Sequence, residues 1–271
     1  MVLSQMLIFI KNVTKKLKKL LKNIKMNNLD IYNDFIFKKR GWISRWPEKT
    51  TFIYSGGMDS TITIARLLDE QEVEIFPVFI DRGQSNGKYE KESALFFDNL
   101  FSRKYPNLYH RLFQIKINIP PAEIKNNLRS YSKDHGYPLR NTMLQMVGVQ
   151  YAISLLSDGI AIRSVFCAQV FDDPFPHSTL SSLRVNTINI CNGLEEWDWQ
   201  ITSPNIDPEL VSKPIGKVEM VKWANEHGLP IEKTRSCYTS NPYSCGKCLI
   251  CKRRREAFKK AGVIDKTKYV K

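Results

Sequence analysis

The sequence lacks any apolar run that approaches the roughly 18 residues required for a membrane-spanning helix. Its opening, MVLSQMLIFI, is apolar but has neither the basic start nor the small-residue cleavage site of a signal peptide. Low-complexity tracts are missing after the N-terminal region, and there is no internal repeat. We therefore expect a cytoplasmic chain with one large domain, or one domain with small appendages.

Two common phosphate-binding motifs are also missing. The sequence contains no G-x-x-x-x-G-K-[ST] run, which excludes a Walker A loop. It contains no G-x-G-x-x-G run either, which excludes the dinucleotide fingerprint. A phosphate site in this chain would therefore need another kind of loop.

The positive charge is unevenly distributed along the chain. Residues 1–50 hold 12 Lys or Arg and 3 Asp or Glu, a net charge of +9, whereas the rest of the chain carries only +5 of the total +14. Apolar residues recur at helical spacing between the lysines of the leader, residues 1–25, at Ile10, Val13, Leu17, Leu20, Leu21 and Ile24. Such a basic amphipathic helix can contact anionic membrane, nucleic acid or a protein partner. The alternatives are a solvated appendage and an extension upstream of a true start at Met26.

From residue 51 onward, apolar strand-like runs alternate with amphipathic helix-like runs. The predicted strands cover residues 51–54, 73–80, 111–119, 161–170 and 199–203. The predicted helices cover residues 59–70, 88–104, 141–157, 178–192, 218–227 and 253–260. This alternation is typical of βαβ units, and it predicts an α/β fold: a parallel sheet with helices on both faces.

The segment SGGMDST, residues 55–61, follows the first predicted strand and leads directly into a helix. Ligands of parallel sheets bind beyond the carboxyl ends of the strands. Gly56 and Gly57 permit backbone angles closed to other residues and let amide groups approach an anion. The N–H groups and partial positive charge at a helix N-terminus favour the same anion. The segment predicts a phosphate-binding loop, and a plain strand-to-helix turn is the alternative reading.

This loop resembles the pyrophosphate loop of the PP-loop ATP pyrophosphatase superfamily, whose fold is adenine nucleotide alpha hydrolase-like. The resemblance implies cleavage of ATP between its α and β phosphates, with a substrate oxygen becoming adenylylated. It also implies that Asp59 acts through Mg²⁺. The residues implied to bind the nucleotide are Ser55, Gly56, Gly57, Asp59, Ser60 and Thr61. Lys217 and Arg140 are candidates for the basic side chain that steadies the departing pyrophosphate. NAD synthetases, GMP synthetases, tRNA-thiolating enzymes and tRNA-lysidine synthetases share the loop.

Four of the six cysteines lie close together near the C-terminus with the spacing C-x₇-C-x₂-C-x₂-C. They are Cys237, Cys245, Cys248 and Cys251. Two short CxxC steps let thiolates converge on one tetrahedral ion at roughly 2.3 Å, which predicts a structural Zn²⁺ site. We expect the basic residues 247 and 252–255 to offset its negative charge. An iron–sulfur cluster and a redox pair are the alternatives, and Cys167 and Cys191 read as buried thiols.

The cysteine segment and the loop together resemble the 7-cyano-7-deazaguanine synthase family. The family pattern Cys-Gly-x-Cys-x-x-Cys appears at residues 245–251, and its Asp-x-Thr-x-Tyr appears at residues 265–269. Residues 81–84, DRGQ, fall where the family has Asp-Tyr-Gly-Gln, which adds Asp81 to the implied nucleotide contacts. Residues 138–141, PLRN, resemble its Pro-Gly-Arg-Asn and include Arg140.

Membership would imply an ATP-dependent C–N ligase that adenylates the carboxylate of 7-carboxy-7-deazaguanine. Ammonia would then give an amide, and a second ATP would drive dehydration to the nitrile. Homodimers are common in the family, so a homodimer is a further expectation. This sequence departs from the family where the substrate loop carries Tyr-Pro-Asp-Cys-Arg, since residues 172–178 read DDPFPHS. Arg82 replaces a tyrosine, and His177 is either a surface residue or a substrate contact.

These observations leave three hypotheses. The first is a 7-cyano-7-deazaguanine synthase or a close paralogue. The second is a PP-loop ligase or transferase that uses another amine, on a protein or tRNA. The third is a nucleic-acid-binding zinc protein, which the weak charge outside the leader disfavours. The predicted domains are a leader and pre-domain segment over residues 1–50, a PP-loop ATP-binding α/β domain over 51–230, and a zinc-binding helical tail over 231–271.

Overall fold

The computed structural model describes residues 27–173, 175 and 178–270, apart from the side chains of residues 133–135. The basic leader and His177 therefore lie outside the described residues, and so do their predicted roles. Within the described part of the chain, none of the helices combines the length and the apolar character that a membrane span needs.

Five strands form one sheet in the order β3-β2-β1-β4-β5, and every neighbouring pair is parallel. The strands are β1 (Lys49–Ile53), β2 (Glu74–Asp81), β3 (Phe113–Lys116), β4 (Ser164–Phe166) and β5 (Gln200–Thr202). The first helices are α1 (Asn28–Arg40), α2 (Met58–Arg66), α3 (Gly87–Lys104), α4 (Ala122–Lys125) and α5 (Arg129–His135). The later helices are α6 (Arg140–Ser154), α7 (Leu180–Leu194), α8 (Lys217–Glu226) and α9 (Leu249–Ala261).

The sheet carries a hydrophobic core on each face, as the predicted doubly covered sheet requires. On β2, Ile75 and Phe79 join the core that includes residues of α2 and α3. Phe76 and Val78 of the same strand join the core that includes residues of α6 and α7. Side chains of a strand point to alternate faces, so buried strands like β2 are apolar throughout. The prediction of helices on both faces is confirmed.

Several predicted elements differ in extent from the observed ones. The predicted strand over residues 161–170 pairs with neighbours only over Ser164–Phe166, although Ile162 and Val170 are also buried. The apolar run over residues 161–170 therefore reflects burial of these side chains more than hydrogen-bonded pairing with neighbouring strands. The predicted strand over 111–119 shortens to Phe113–Lys116, and the last helix begins at Leu249 instead of residue 253.

Helix α1 belongs to the segment before residue 51 and contacts, through Asn33, a buried ion pair between α7 and the segment after β5. The Arg184 guanidinium donates to both carboxylate oxygens of Asp207, at 2.9 and 2.8 Å. The same guanidinium donates to Ser44 Oγ at 2.7 Å and to Asn33 Oδ1 at 2.8 Å. The Thr202 hydroxyl donates to Asp207 as well. We call these five residues the Arg184–Asp207 network. The predicted domain boundaries at residues 50 and 230 stay a prediction.

Candidate nucleotide site and cysteine cluster

A cavity of about 290 Å³ lies beyond the carboxyl ends of β1 and β4. The strand order reverses between these two strands, and ligands of open α/β sheets bind at such a reversal. Six of the residues predicted from the sequence line this cavity, which we call the loop pocket. They are Ser55, Gly57, Asp59, Ser60, Arg140 and Lys217.

The chain between β1 and α2 is held tightly against α3. Gly56 has a positive φ of 68°, and a Cβ at this position would lie 2.7 Å from the backbone N of Ala94 and closer still to the Glu90 carbonyl oxygen. The Ser93 hydroxyl donates to the Gly56 carbonyl oxygen at 2.7 Å. Only glycine combines this backbone conformation with so close an approach.

Hydroxyl groups and amides of the loop converge at the start of α2. Ser55 Oγ and Ser60 Oγ lie 3.0 Å apart, and the Gly57 amide donates to Ser55 Oγ at 3.2 Å. Helix α2 begins at Met58 after Gly57, which has no side chain to cap it. The first N–H groups of a helix have no partner within the helix, so this loop can accept an anion such as pyrophosphate.

A row of charged side chains lies beside the pocket, next to the loop. Lys217, whose side chain is only 7% exposed, donates to Asp59 Oδ2 and lies 3.8 Å from Asp173 Oδ1. Arg253 of α9 lies 3.7 Å from Asp173 Oδ1. The buried Asp59 Oδ1 has no hydrogen-bond partner among the described residues. That oxygen fits a Mg²⁺ ligand, since this ion binds through one or two carboxylates together with phosphate oxygens.

The ionisation of these charged side chains depends on how deeply each is buried. Burial alone would lower the pKa of Lys217, but the Asp59 and Asp173 carboxylates outweigh it and hold the pKa above its ordinary value. Burial raises the pKa of Asp173, the Asp59 charge adds to that, and Lys217 opposes it. The lysine therefore stays cationic at neutral pH, whereas the ionised form of Asp173 is disfavoured relative to that of an exposed carboxylate.

Arg140 lies at the N-terminus of α6 and faces the same pocket as Arg82. Burial, together with the positive charge of Arg82, lowers the pKa of Arg140. Tyr238 from the cysteine segment also lines the pocket, and burial raises the pKa of its phenol. The pocket thus offers two guanidinium groups and an aromatic ring in addition to the carboxylates and Lys217.

Three residues predicted to bind the nucleotide do not line the loop pocket: Gly56, which packs against α3, Thr61 and Asp81. Thr61 is fully buried, and its hydroxyl is bonded to the Tyr54 hydroxyl at 3.1 Å. The Asp81 carboxylate accepts the Gly83 amide at 3.1 Å and so closes the turn after β2. Helix α2 turns Thr61 toward the core, and the turn holds Asp81 away from the cavity.

The sequence did not predict roles for Asp173, Arg235 and Ser236, which line the pocket, and it predicted for Arg253 only that it offsets the charge of the cysteine cluster. In the structure, Asp173 and Arg253 form the far end of the row of charged side chains. Arg235 and Ser236 contact the loop backbone: the Arg235 amide donates to the Gly56 carbonyl at 2.9 Å, and the Met58 amide donates to Ser236 Oγ at 3.3 Å. The available signal was position, because Arg235 and Ser236 directly precede the first clustered cysteine.

The four clustered cysteines converge as predicted, with all four sulfur atoms within 4.8 Å of one another. Zinc–sulfur bonds of about 2.3 Å in a tetrahedron place sulfurs about 3.8 Å apart, so the cluster fits such an ion after small adjustments. The amide of Cys245 donates to Cys237 Sγ at 3.2 Å, and the amide of Cys248 donates to Cys245 Sγ at 3.3 Å. Burial opposes ionisation of Cys237, but hydrogen bonds from Cys245 and Thr239 outweigh it and lower its pKa to about 6. This donor set suits a metal that binds thiolates.

Two of the basic residues that were predicted to offset the charge of the cluster bind other partners in the structure. Arg254 is buried and donates to Thr234 Oγ1 at 2.8 Å and to the Ile231 carbonyl at 2.7 Å. Arg253 donates to the Asp172 carbonyl. Both side chains therefore join α9 to other parts of the fold, because carbonyl and carboxylate acceptors lie within their reach.

Three features together define a PP-loop α/β protein. They are the parallel sheet, the glycine loop at the point where the strand order reverses, and the charged side chains beside that loop. A model of the family described as queuosine biosynthesis protein QueC matches residues 49–262. The match spans well over half of the chain, and the chain belongs to this family.

Curated relatives agree with the family match over most of their length. The chain is 28% identical over 229 residues to the 7-cyano-7-deazaguanine synthase of Methanothermobacter thermautotrophicus, covering 80% of this chain and 97% of that protein. It is 25% identical over 237 residues to the synthase of Thermoplasma volcanium, covering 83% of this chain and 92% of that protein.

Solved structures give a weaker likeness. The U34-tRNA thiolase NcsA from Methanococcus maripaludis, solved with its [4Fe-4S] cluster, is 13% identical with a TM-score of 0.42. The likeness covers 88% of this chain and 75% of that one.

Proposed function

We propose that this protein is an ATP-dependent C–N ligase that converts a 7-deazaguanine carboxylate into 7-cyano-7-deazaguanine, with AMP and pyrophosphate as co-products. The observation that carries the proposal is the opening of the glycine loop and the Asp59–Lys217 pair onto one pocket. Family membership and the names of the curated relatives support the choice of substrate.

The loop and its neighbours have distinct proposed roles. Ser55, Ser60 and the amides around Gly57 hold the β and γ phosphates of ATP, where the helix N-terminus favours negative charge. Lys217 stays protonated beside the loop and stabilises the charge of the departing pyrophosphate. Arg140, which lines the same pocket, is the second cation offered to the phosphates or to the substrate carboxylate.

Mg²⁺ held by Asp59 would reduce the repulsion between the phosphates and an attacking oxyanion. Asp59 has one carboxylate oxygen bonded to Lys217 and the other without a partner among the described residues. The second oxygen is therefore the one we assign to the metal. Lys217 holds that carboxylate in place through its hydrogen bond.

The proposed chemistry balances with two ATP molecules. A carboxylate oxygen attacks the α phosphorus of ATP, pyrophosphate leaves, and ammonia then displaces AMP to give the amide. The amide oxygen attacks the α phosphorus of a second ATP, a second pyrophosphate leaves, and loss of AMP and protons then gives the nitrile. Each of the two carboxylate oxygens thus departs in one molecule of AMP. A carboxylate needs such activation because its own oxygen is a poor leaving group.

The cysteine cluster has a separate proposed role. We assign it a structural Zn²⁺ ion, because four thiolates fill a tetrahedral site and leave no open position for a substrate. The division into an ATP-binding domain over residues 51–230 and a zinc-binding tail over residues 231–271 is part of this proposal. A homodimer is the proposed assembly.

The test starts from 7-carboxy-7-deazaguanine with ¹⁸O in both carboxylate positions, incubated with the purified chain, Mg²⁺, ATP and ammonium. Mass spectrometry of the products is expected to show the nitrile and AMP, with one ¹⁸O in each AMP. Unlabelled AMP would mean hydrolysis of ATP by water and would contradict carboxylate activation. Absence of AMP under all conditions would overturn the proposal.

A second candidate is transfer of the activated carboxylate to an amine other than ammonia. It is favoured by the altered segment 172–178, which places Asp173 in the pocket where the family pattern predicts a different loop. In the same labelled reaction, this function would yield AMP bearing a single ¹⁸O and an adenylate or amide without nitrile. Adding candidate amines such as lysine derivatives would then restore turnover.

A further inference from the structure

Residues on either side of the cysteine cluster contact the nucleotide site by two separate routes. The first route begins next to Cys237. The amide of Arg235 donates to the Gly56 carbonyl at 2.9 Å, and Ser236 Oγ accepts the Met58 amide at 3.3 Å. These contacts fix the backbone on both sides of Gly57, the residue that precedes helix α2.

The residues that follow Ser236 add two more hydrogen bonds to the first route. The carbonyl oxygen of Cys237 accepts Asn86 Nδ2 at 2.9 Å, and the carbonyl oxygen of Tyr238 accepts Ser85 Oγ at 3.1 Å. Asn86 is buried and directly precedes α3, the helix on which the glycine loop rests. The segment around Cys237 therefore joins the phosphate loop to the start of α3.

The second route begins next to Cys251. Arg253 donates to the Asp172 carbonyl, and its guanidinium lies 3.7 Å from Asp173 Oδ1. Asp173 in turn lies 3.8 Å from Lys217 Nζ, and Lys217 donates to Asp59. This route ends at the charged side chains that face the phosphates.

The cluster joins the two routes, because Cys237 and Cys251 contribute two of its four sulfurs. An ion bound to both sulfurs closes the loop of chain between them, which removes conformational freedom from both flanks. Ser236 and Arg253 are then held at fixed positions relative to each other. Without the ion, each route would have to be ordered separately when a nucleotide binds.

We propose that the cluster ion and the nucleotide bind with positive coupling, and that Ser236 and Arg253 are the positioning residues that transmit it. The inference rests on the proposed nucleotide site. Coupling between two ligands is reciprocal, so the factor by which nucleotide raises metal affinity equals the factor by which metal raises nucleotide affinity. Typical couplings between sites correspond to changes of roughly 5- to 150-fold.

The test measures the affinity of the full chain for Zn²⁺ by equilibrium competition with a chromogenic chelator. Each titration is run with and without Mg²⁺ and α,β-methylene-ATP, an analogue that cannot be cleaved at the α–β position. Binding of the analogue to the zinc-loaded protein is measured first by calorimetry. For the unaltered protein we expect the analogue to raise the Zn²⁺ affinity about tenfold.

Three variants and one control locate the coupling. Ser236→Ala removes the acceptor for the Met58 amide, and Arg253→Gln removes the charge beside Asp173. Each is expected to reduce the tenfold effect to about threefold or less, and Arg253→Lys to restore part of it. Lys259→Gln removes an exposed charge further along α9 and is expected to leave the effect unchanged.

The outcomes separate this inference from the proposed function. If the analogue binds and the Zn²⁺ affinity does not change, the coupling is wrong while the nucleotide site stands. If the coupling persists in both Ser236→Ala and Arg253→Gln, these residues are not its carriers and the inference falls. If the analogue does not bind at all, the nucleotide site and the coupling fall together.

Discussion

Two networks of charged side chains in the described part of the chain differ in how completely their polar atoms are paired. The first is fully buried, and the second is half-buried beside the loop pocket. In the Arg184–Asp207 network, both ions are at most 1% exposed, and the guanidinium and carboxylate meet at 2.8 and 2.9 Å. In the second, which we call the pocket network, Asp59, Lys217 and Asp173 line the pocket and Arg253 lies behind Asp173, at contacts up to 3.8 Å. Asp59 Oδ1 and Arg253 Nη1 have no hydrogen-bond partner among the described residues.

The contrast separates stabilising charges from charges available to a ligand. A fully paired network fixes the elements that carry it, here α1, α7 and the segment after β5. An incompletely paired one leaves buried polar atoms that a ligand can satisfy, and such atoms cluster at functional sites. The same residue types therefore stabilise the fold in one place and are exposed to reactants in the other.

The largest effect is expected from breaking the paired network. Asp207→Asn leaves the Arg184 guanidinium buried without its counter-ion, and removal of one partner of a buried pair costs about 3–5 kcal/mol. The free energy of unfolding, measured by urea denaturation, should fall by that amount. The control Asp198→Asn removes a carboxylate that is 56% exposed and 3.5 Å from Arg163, and it should cost less than about 1 kcal/mol. Equal losses in the two variants would contradict the distinction.

The next effect concerns activity instead of stability. Asp59→Asn keeps the shape of the side chain and removes the charge assigned to Mg²⁺, so AMP formation should fall about 10²- to 10³-fold, as for loss of one electrostatic contact to a transition state. The urea midpoint should change less than in Asp207→Asn, because Lys217 keeps Asp173 as a partner. Glu70→Gln, in the helical turn after α2, is the matched control for activity.

That prediction has a clear contrary outcome. Full activity of Asp59→Asn would remove this carboxylate from the mechanism. A loss of stability as large as that of Asp207→Asn would mean that the pocket network also stabilises the fold, and the comparison between the networks would fail.

A smaller effect is expected from one hydrogen bond of the paired network. Thr202→Val removes the hydroxyl that donates to Asp207 while keeping the volume. Hydrogen bonds to charged groups contribute about 1.5–3 kcal/mol, and urea denaturation should show a loss in that range. In the Asp207→Asn background the same change should cost less than half as much, because the charged acceptor is gone. An undiminished cost there would show that Thr202 acts through packing.

The smallest expected effect is a gain in stability instead of a loss, and it comes from a substitution at Asp173. Burial raises the pKa of Asp173, whereas at Asp207 the hydrogen bonds and charge of Arg184 outweigh burial and lower the pKa. An ionised group with a raised folded-state pKa costs stability above that pKa, and the cost disappears as pH falls through it. Asp173→Asn should therefore raise the thermal midpoint by a few degrees at most at pH 7, with the gain shrinking toward pH 4.

The contribution of Asp207 to the stability of the fold should depend on pH in the direction usual for a paired carboxylate. Its stabilisation is present above the pKa of the unfolded chain and is lost as pH falls through the lowered folded-state pKa. Thermal unfolding of both variants across pH 3–8 checks the two signs together. A destabilised Asp173→Asn protein at pH 7 would show that the pocket network is a net stabilising one.

The features that could be predicted from the sequence depend on local patterns. Strand–helix alternation gave the parallel sheet, and the CxxC spacing gave the convergence of sulfurs such as those of Cys245 and Cys248. The meeting of Asp173 with Lys217 could not be predicted, because it depends on how α8 and the chain after β4 pack. Thr61 was assigned from its place in a motif, and only the helical turn after Gly57 shows that its side chain enters the core.

The close contact between Gly56 and helix α3 makes the phosphate loop hard to transplant. A graft of residues 55–61 onto another strand–helix unit would bring the peptide conformation but not the Glu90 and Ala94 backbone against which it rests. The recipient would need a second helix at the same height, together with a hydroxyl like that of Ser93 to hold the Gly56 carbonyl. The transferable module is thus the loop with α2 and α3 together, and a designer who moves fewer residues should expect the loop to relax into an ordinary turn.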